Sequence, residues 1–120
     1  MIDSLNIGKV IFDKLNTISV LNGKIYPLIA ENNTEFPFVI YTRTGLNEEI
    51  CKDGVYQDDI TLSIQVITDK YADGIDIAQQ VRELLTLHTS TMYSHMISAS
   101  EEYANDAYIQ TLVFSINMVG

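Results

Sequence analysis

The chain has 120 residues and a mass of 13.5 kDa, and 47% of its residues are hydrophobic while 19% are charged. These proportions are typical of a folded globular domain, and we expect a single domain over 1–120; Cys51 is the only cysteine, which excludes a disulfide framework. Sixteen acids against seven scattered bases give a net charge of −9, which argues against a nucleic-acid or anionic-membrane partner.

Two stretches have the periodicity of amphipathic helices. The first runs from about Asp3 to Asn16, and either Asp3 or Ser4 is placed to accept the free amides of its first turn. The second runs from about Lys70 to Leu87 and ends near His88. Gly74 weakens its first turns by up to about 1 kcal/mol relative to alanine.

Between these helices the sequence predicts two strands and a short extended piece. Lys24–Tyr26 is the short piece, and Phe38–Arg43 is a short strand that proline opens. Tyr56–Thr68 alternates apolar and polar residues, which predicts a strand with one buried face. The stretches Leu28–Phe36 and Gly45–Val55 are expected to be irregular.

The C-terminal part is typical of a hairpin. Its strands are Thr91–Ser100 and Ala107–Val119, and the polar stretch 101–106 is the predicted turn. In the last strand, alternate residues from Tyr108 to Met118 form an apolar face that only Gln110 interrupts. The opposite face is also partly apolar, so the strand is either central in the sheet or contributes to a subunit interface. The candidate interface residues are Ile109, Val113 and Val119.

The order of these elements indicates an α+β fold. Consecutive strands joined by short turns pair antiparallel in most proteins. We therefore predict a mainly antiparallel sheet of about four strands with two helices packed against it.

No residue constellation indicates catalysis or a metal site. Cys51 lacks the motif of a nucleophile, and the spacing of His88 and His95 matches no common zinc site. His95 is expected to pack against Tyr93 and Ile97 or to face solvent. Adjacent acids are interpreted as solvated surface residues. The sequence therefore predicts a protein that is not an enzyme and needs no cofactor and no metal.

No apolar run approaches the roughly 20 residues that cross a bilayer. The N-terminal region carries Asp3 before any lysine, and polar residues interrupt the apolar stretch that a signal peptide requires. These observations predict a cytoplasmic protein with no membrane partner.

Several short segments together resemble one known family. GKIYP (23–27) precedes FPFVIY (36–41), and the alternating strand LSIQVIT runs directly into YADGIDIAQQVRELL (71–85). In this order they resemble the small tail-completion proteins of long-tailed phages and prophages, which are similar to tail-terminator and head-to-tail joining proteins. The resemblance covers about 5–119. The chain lacks the tryptophan that family members often carry near the end of the long strand.

The resemblance implies a structural protein that caps the head-proximal end of the tail tube. Such a protein stops tube polymerisation and offers a surface to the head-tail connector, as a homo-hexameric ring that forms either in solution or on the tube. It would act in the bacterial host cytoplasm during assembly and reside in the virion tail of an active phage. The alternatives are a head-completion or connector protein and a small host-side binding module.

The polar stretch 45–55 is the candidate partner-binding loop, and the alternative is an ordinary hairpin connection, which its composition favours. The residues proposed for contact with the tube or the ring lumen are Asn47, Glu48, Glu49, Lys52 and Asp53. Six copies at −9 would carry 6 × −9 = −54. We therefore expect salt or divalent cations to promote ring assembly.

Overall fold

The structure, a computed structural model, describes residues 4–31, 34–50 and 56–119. Its helices are α1 (Ile7–Leu15), which follows a 3-10 turn at Ser4–Asn6, and α2 (Tyr71–Leu84); a second 3-10 turn spans Ser19–Leu21. Its strands are β1 (Ile25–Pro27), β2 (Phe38–Ile50), β3 (Tyr56–Thr68), β4 (Leu87–His88), β5 (Met92–Ala104) and β6 (Ala107–Val119).

All six strands form one sheet in the order β1-β2-β3-β6-β5-β4. Among the strand pairs of the described residues, only β1–β2 is parallel. The predicted α+β class is confirmed, with β1 and β4 as short additions at the two edges of the four long strands. The central β3–β6 pair keeps an unbroken register from Gln57–Val119 to Thr68–Tyr108, whereas β2 and β5 each contain a bulge.

The strand β2 is twice as long as predicted. It continues past Arg43 and a bulge at Thr44 to Ile50, so residues 45–50 are strand and not loop. The glycine and the acids in this stretch suggested a loop. They are tolerated here because β2 lies near the edge of the sheet, where polar side chains remain exposed to solvent.

The C-terminal hairpin is confirmed, but its turn is shorter than predicted. Glu101 and Glu102 lie within β5, and only Asn105 and Asp106 form the turn. Both turn residues have positive φ angles, 53° and 60°. Asparagine and aspartate tolerate this conformation, and it matches the twist of a two-residue hairpin.

The start of α1 differs from the predicted capping arrangement. Asn6 occupies the N-cap position, and its side chain makes no capping hydrogen bond. Ser4 is buried, and its hydroxyl donates instead to the Asp58 carboxylate of β3. Asp3, the other predicted cap, lies outside the described residues.

The helix α2 is shorter than predicted and ends at Leu84, so His88 lies in β4 and not at the helix end. A Cβ atom on Gly74 would lie 3.0 Å from Thr68 Oγ1 and 3.6 Å from Gln110 Cγ. The glycine that weakens the helix in isolation therefore lets its first turns approach the sheet closely.

The core lies between the two helices and one face of the sheet, which we call the helix face. On β3 the predicted alternation is confirmed, because the apolar residues from Ile60 to Val66 are at most 1% exposed. On β6 the predicted face is also correct. Its buried residues are Leu112, Phe114 and Ile116, and the helices cover them with Ile7, Ile11, Leu15, Ile77, Ala78 and Val81.

Candidate interaction surfaces

The proposed partner-binding acids lie at one end of the long strands. Asn47, Glu48 and Glu49 are exposed residues of β2 that pair with Asp59, Asp58 and Gln57 of β3. They therefore belong to a paired strand and not to a loop. Lys52 and Asp53, with Cys51, lie outside the described residues.

A carboxyl pair is built into this acidic end. Asp59 Oδ1 accepts hydrogen bonds from Gln57 Nε2 at 2.7 Å and from Asn117 Nδ2. These bonds, the one from Gln57 most of all, hold the pKa of Asp59 below its usual value. A hydrogen bond to Asp59, together with its negative charge, raises the pKa of Glu49. A cationic partner would relieve this repulsion between the two carboxylates.

The opposite face of the sheet, which we call the open face, carries the three candidate interface residues. Ile109 and Val113 are half-buried and Val119 is 38% exposed. The central-strand interpretation of β6 is confirmed, since it pairs with β3 and β5. Within the described ranges, both helices pack on the other face. The role of these three side chains in an interface stays a prediction.

The sequence interpretation missed an aromatic group next to this surface. Phe36 stacks on Phe38 with ring centroids 5.8 Å apart, and Tyr26 meets Phe38 edge to face at 6.3 Å. Phe38 also pairs with Ile67, which in turn pairs with Ile109. The spacing of Phe36 and Phe38 could have revealed a shared face, but the pairing with Tyr26 and Ile67 required the tertiary structure.

A tyrosine cluster lies at the end of the sheet that is remote from Glu48. The ring of Tyr108 lies 5.7 Å from that of Tyr71 at the start of α2 and 4.9 Å from that of Tyr103 in β5. The Glu101 carboxylate accepts hydrogen bonds from Tyr71 Oη at 2.8 Å and from Gln110 Nε2 at 2.9 Å. These side chains line a depression of about 250 Å³.

The hydrogen bonds of this cluster favour one ionisation state for Glu101 and one for Tyr71. The bonds from Gln110 and Tyr71 lower the pKa of Glu101, and the bond to Glu101 raises the pKa of Tyr71. Glu101 is therefore ionised and Tyr71 neutral at pH 7. The hydrogen bonds of the tyrosine cluster therefore join the C-terminal hairpin to α2.

The histidines are packed against an aromatic ring. The rings of His88 and His95 lie 5.1 and 5.2 Å from that of Tyr93, so the predicted packing of His95 on Tyr93 is confirmed. In the part of the chain that the structure describes, no three His, Cys, Asp or Glu side chains form a group that could hold a metal ion. No helix among the described residues is long and apolar enough to span a membrane.

These features define an α+β protein in which two helices cover one face of a six-stranded, mainly antiparallel sheet. The same fold occurs in a chain of the solved structure described as the virion of a native gene transfer agent (GTA) particle. The match has a TM-score of 0.73 and 18% sequence identity, and it covers 92% of each chain. No protein-family model and no curated protein matches the chain. The resemblance to tail-completion proteins stays a prediction.

Proposed function

We propose that this protein is a structural component of a phage-like particle, and specifically that it caps the head-proximal end of the tail tube. The observation that carries the proposal is the fold that nine-tenths of the chain shares with a chain of a GTA virion. The order of the segments GKIYP, FPFVIY and LSIQVIT supports the specific position, because it is the order found in tail-completion proteins.

The mechanism is geometric and involves no catalysed reaction. A hexameric ring that repeats the symmetry of the tube occupies its growing end and offers no site to the next tube subunit. The exposed acids Glu48 and Glu49 are the candidate contacts with the tail tube or with the lumen of the ring. The open face, with Ile109, Val113 and Val119, is the candidate contact with a further subunit of the assembly.

The decisive experiment removes the gene from a genome that produces the particles and measures tail length by electron microscopy. A tube that has lost its cap continues to grow, so we expect overlong tails of variable length that are not joined to heads. Complementation with the intact chain restores a uniform length. Tails of normal length that fail to join heads would support the head-completion or connector role instead. Normal particles would favour the host-side binding module.

Assembly of the free chain provides a second test. Native mass spectrometry from low to moderate salt, with and without magnesium, should show a hexamer that ionic screening promotes, because six copies carry 6 × −9 = −54. Association that is equal or stronger at low ionic strength would contradict this expectation. A strict monomer would restrict the ring to the end of the tube.

A further inference from the structure

Among the residues that the structure describes, both outer long strands have a stretch of backbone edge that pairs with no other strand. The strand β1 pairs only with residues 39–41 of β2, and β4 pairs only with Tyr93 and Ser94 of β5. Within the described ranges, no strand pairs with the outer side of β2 beyond Tyr41 or of β5 beyond Ser94. Neither free stretch contains lysine or proline, which commonly protect an exposed strand edge, but each contains a bulge and two glutamates that a partner strand must accommodate.

The hydrogen-bond alternation identifies which residues of β5 point outward. Val119 N–H donates to the Thr91 carbonyl at 2.9 Å, so odd-numbered residues of β6 form the hydrogen-bonded pairs with β5. The residues of β5 that lie opposite even-numbered residues of β6 therefore direct their backbone N–H and C=O groups away from β6. Beyond the bulge these residues are Ala99, Glu101 and Tyr103.

The same argument applies to β2. Val39 N–H donates to the Lys24 carbonyl at 3.0 Å, and the Tyr41 carbonyl accepts from Leu28 N–H at 2.9 Å, so both residues point outward. They pair with even-numbered residues of β3, and that alternation continues past the bulge. The outward residues of the free stretch are Arg43, Leu46, Glu48 and Ile50.

The two free edges are compatible with each other. On both edges the outward residues place their side chains on the helix face, since they pair with even-numbered residues of β3 and β6 on that face. Pairing β5 of one copy with β2 of another therefore keeps the helices of both copies on the same side. The strand directions also alternate across the junction, because β2 and β5 are antiparallel to each other within the sheet.

Charge favours the pairing of a β5 edge with a β2 edge over the pairing of two β5 edges. Two β5 edges would bring Glu101 and Glu102 of both copies together, with no Lys or Arg in either strand to offset them. Arg43 is the single Lys or Arg residue in these two strands. Only a junction between β5 and β2 brings this guanidinium, which already donates to the Leu5 carbonyl, to the glutamates of β5.

We infer that the free edge of β5 binds the free edge of β2 in a second copy of this chain, as an antiparallel continuation of the sheet. The register opposes Glu101 to Leu46 of the next copy and Ala99 to its Glu48, and it places Tyr103 beside the bulge at Arg43. No two glutamates are then directly opposite. This inference rests on the proposed ring of copies and names the surface that closes it.

The junction has the geometry of a head-to-tail assembly. Within one copy Glu101 pairs with Gln110, Gln110 pairs with Val66, and Val66 pairs with Val39. Glu101 and Val39 therefore lie at the same level along the strands. Opposing Glu101 to Leu46 of the next copy therefore displaces each copy along the strands by about six residues, or roughly 20 Å at 3.3 Å per residue. A constant stagger is what tilts the strands of a closed barrel, and a head-to-tail interface that closes produces a ring.

Disulfide trapping tests the junction directly. In this register Ser100 and Asn47 of the next copy form a non-hydrogen-bonded pair with Cα atoms about 4.5 Å apart, which a disulfide can bridge. Within one copy these residues lie on opposite outer strands, at least about 14 Å apart, so any disulfide joins two copies. The full-length test variant combines Cys51→Ser with Ser100→Cys and Asn47→Cys. The matched control replaces Ser100→Cys by Ser90→Cys, at another exposed serine.

Oxidation should cross-link the test variant about 100-fold faster than the control and yield covalent hexamers, because the pair is held at high effective concentration. A rate equal to that of the control, in solution and on tail tubes, overturns the edge junction. If native mass spectrometry still shows a hexamer, the ring survives and only the junction is wrong. If cross-linked rings form but removal of the gene leaves tail length unchanged, the junction stands and the capping function fails.

Proline substitutions provide a second and independent test. Ala99→Pro removes an outward N–H and no bond to β6, so the monomer should keep its circular dichroism spectrum and lose assembly. Ser100→Pro removes an inward N–H and should lower the melting temperature. Normal assembly by a folded Ala99→Pro variant would contradict the proposed junction.

Discussion

The two faces of the sheet belong to the same strands but have opposite characters. On the helix face, Leu62 and Ile64 of β3 are fully buried under the helices. On the open face, their neighbours Ser63 and Gln65 remain partly accessible. The difference shows that one set of strands can provide a stable core on one side and a surface for partners on the other. Substitutions on the helix face should change stability, and substitutions on the open face should change assembly.

The largest expected effect on stability is that of Phe114→Ala. Phe114 is fully buried on the helix face, and its truncation should cost about 3–5 kcal/mol because it leaves a cavity. Its neighbour Val113 is half-buried on the open face. Val113→Ala is the matched control and should cost about 1 kcal/mol. Urea denaturation of the monomer measures both, and equal losses would contradict the assignment of the two faces.

A smaller loss is expected for Ser4→Ala. The Ser4 hydroxyl is buried and donates to the buried carboxylate of Asp58, and the variant leaves that acceptor without this donor. The free energy of unfolding should fall by about 1–3 kcal/mol. Ser90→Ala, at an exposed serine, is the control and should have little effect. A loss no larger than that of the control would show that solvent replaces the hydroxyl.

The hydrogen bonds to Glu101 in the tyrosine cluster predict a modest pH dependence of the stability. The pKa of Glu101 is lowered in the folded chain, so its contribution to stability is present above its unfolded pKa and disappears as the pH falls through the folded value. Tyr71→Phe removes one of the two hydrogen bonds and should raise the pKa of Glu101. Carboxyl chemical shifts followed by NMR from pH 7 to pH 2 measure this change. An unchanged pKa would show that Gln110 alone holds the carboxylate.

The smallest change in stability is expected for the double variant Glu48→Lys with Glu49→Lys. Both residues are exposed, and the melting temperature should remain close to that of the parent chain. The charge per copy changes from −9 to −9 + 4 = −5. Tail completion, measured by complementation of a gene deletion, should nevertheless be impaired. Normal tails would remove these acids from the tube-binding surface, and Glu83→Lys on α2 is an exposed control with the same type of charge reversal.

Local patterns predicted much of the fold. The alternation from Ile60 to Val66 and the helical periodicity around Ile77 depend on which side of an element an apolar residue occupies, and the sequence displays this directly. The edges of the sheet were not predictable in this way. Polar residues of an outer strand have the composition of a loop, so the sequence predicts an irregular segment at residues 45–50 and a turn at Glu101.

The sequence by itself determined the fold class, the two helices and the buried faces of β3 and β6, because each depends on periodicity within a single element. The tertiary structure alone decided that Ser4 meets Asp58, that Tyr26, Phe36 and Phe38 share a surface, and that His88 begins a new strand. It also decided which backbone edges remain free. These contacts join residues that are distant in the chain, and their energies depend on burial and pairing that no local pattern records.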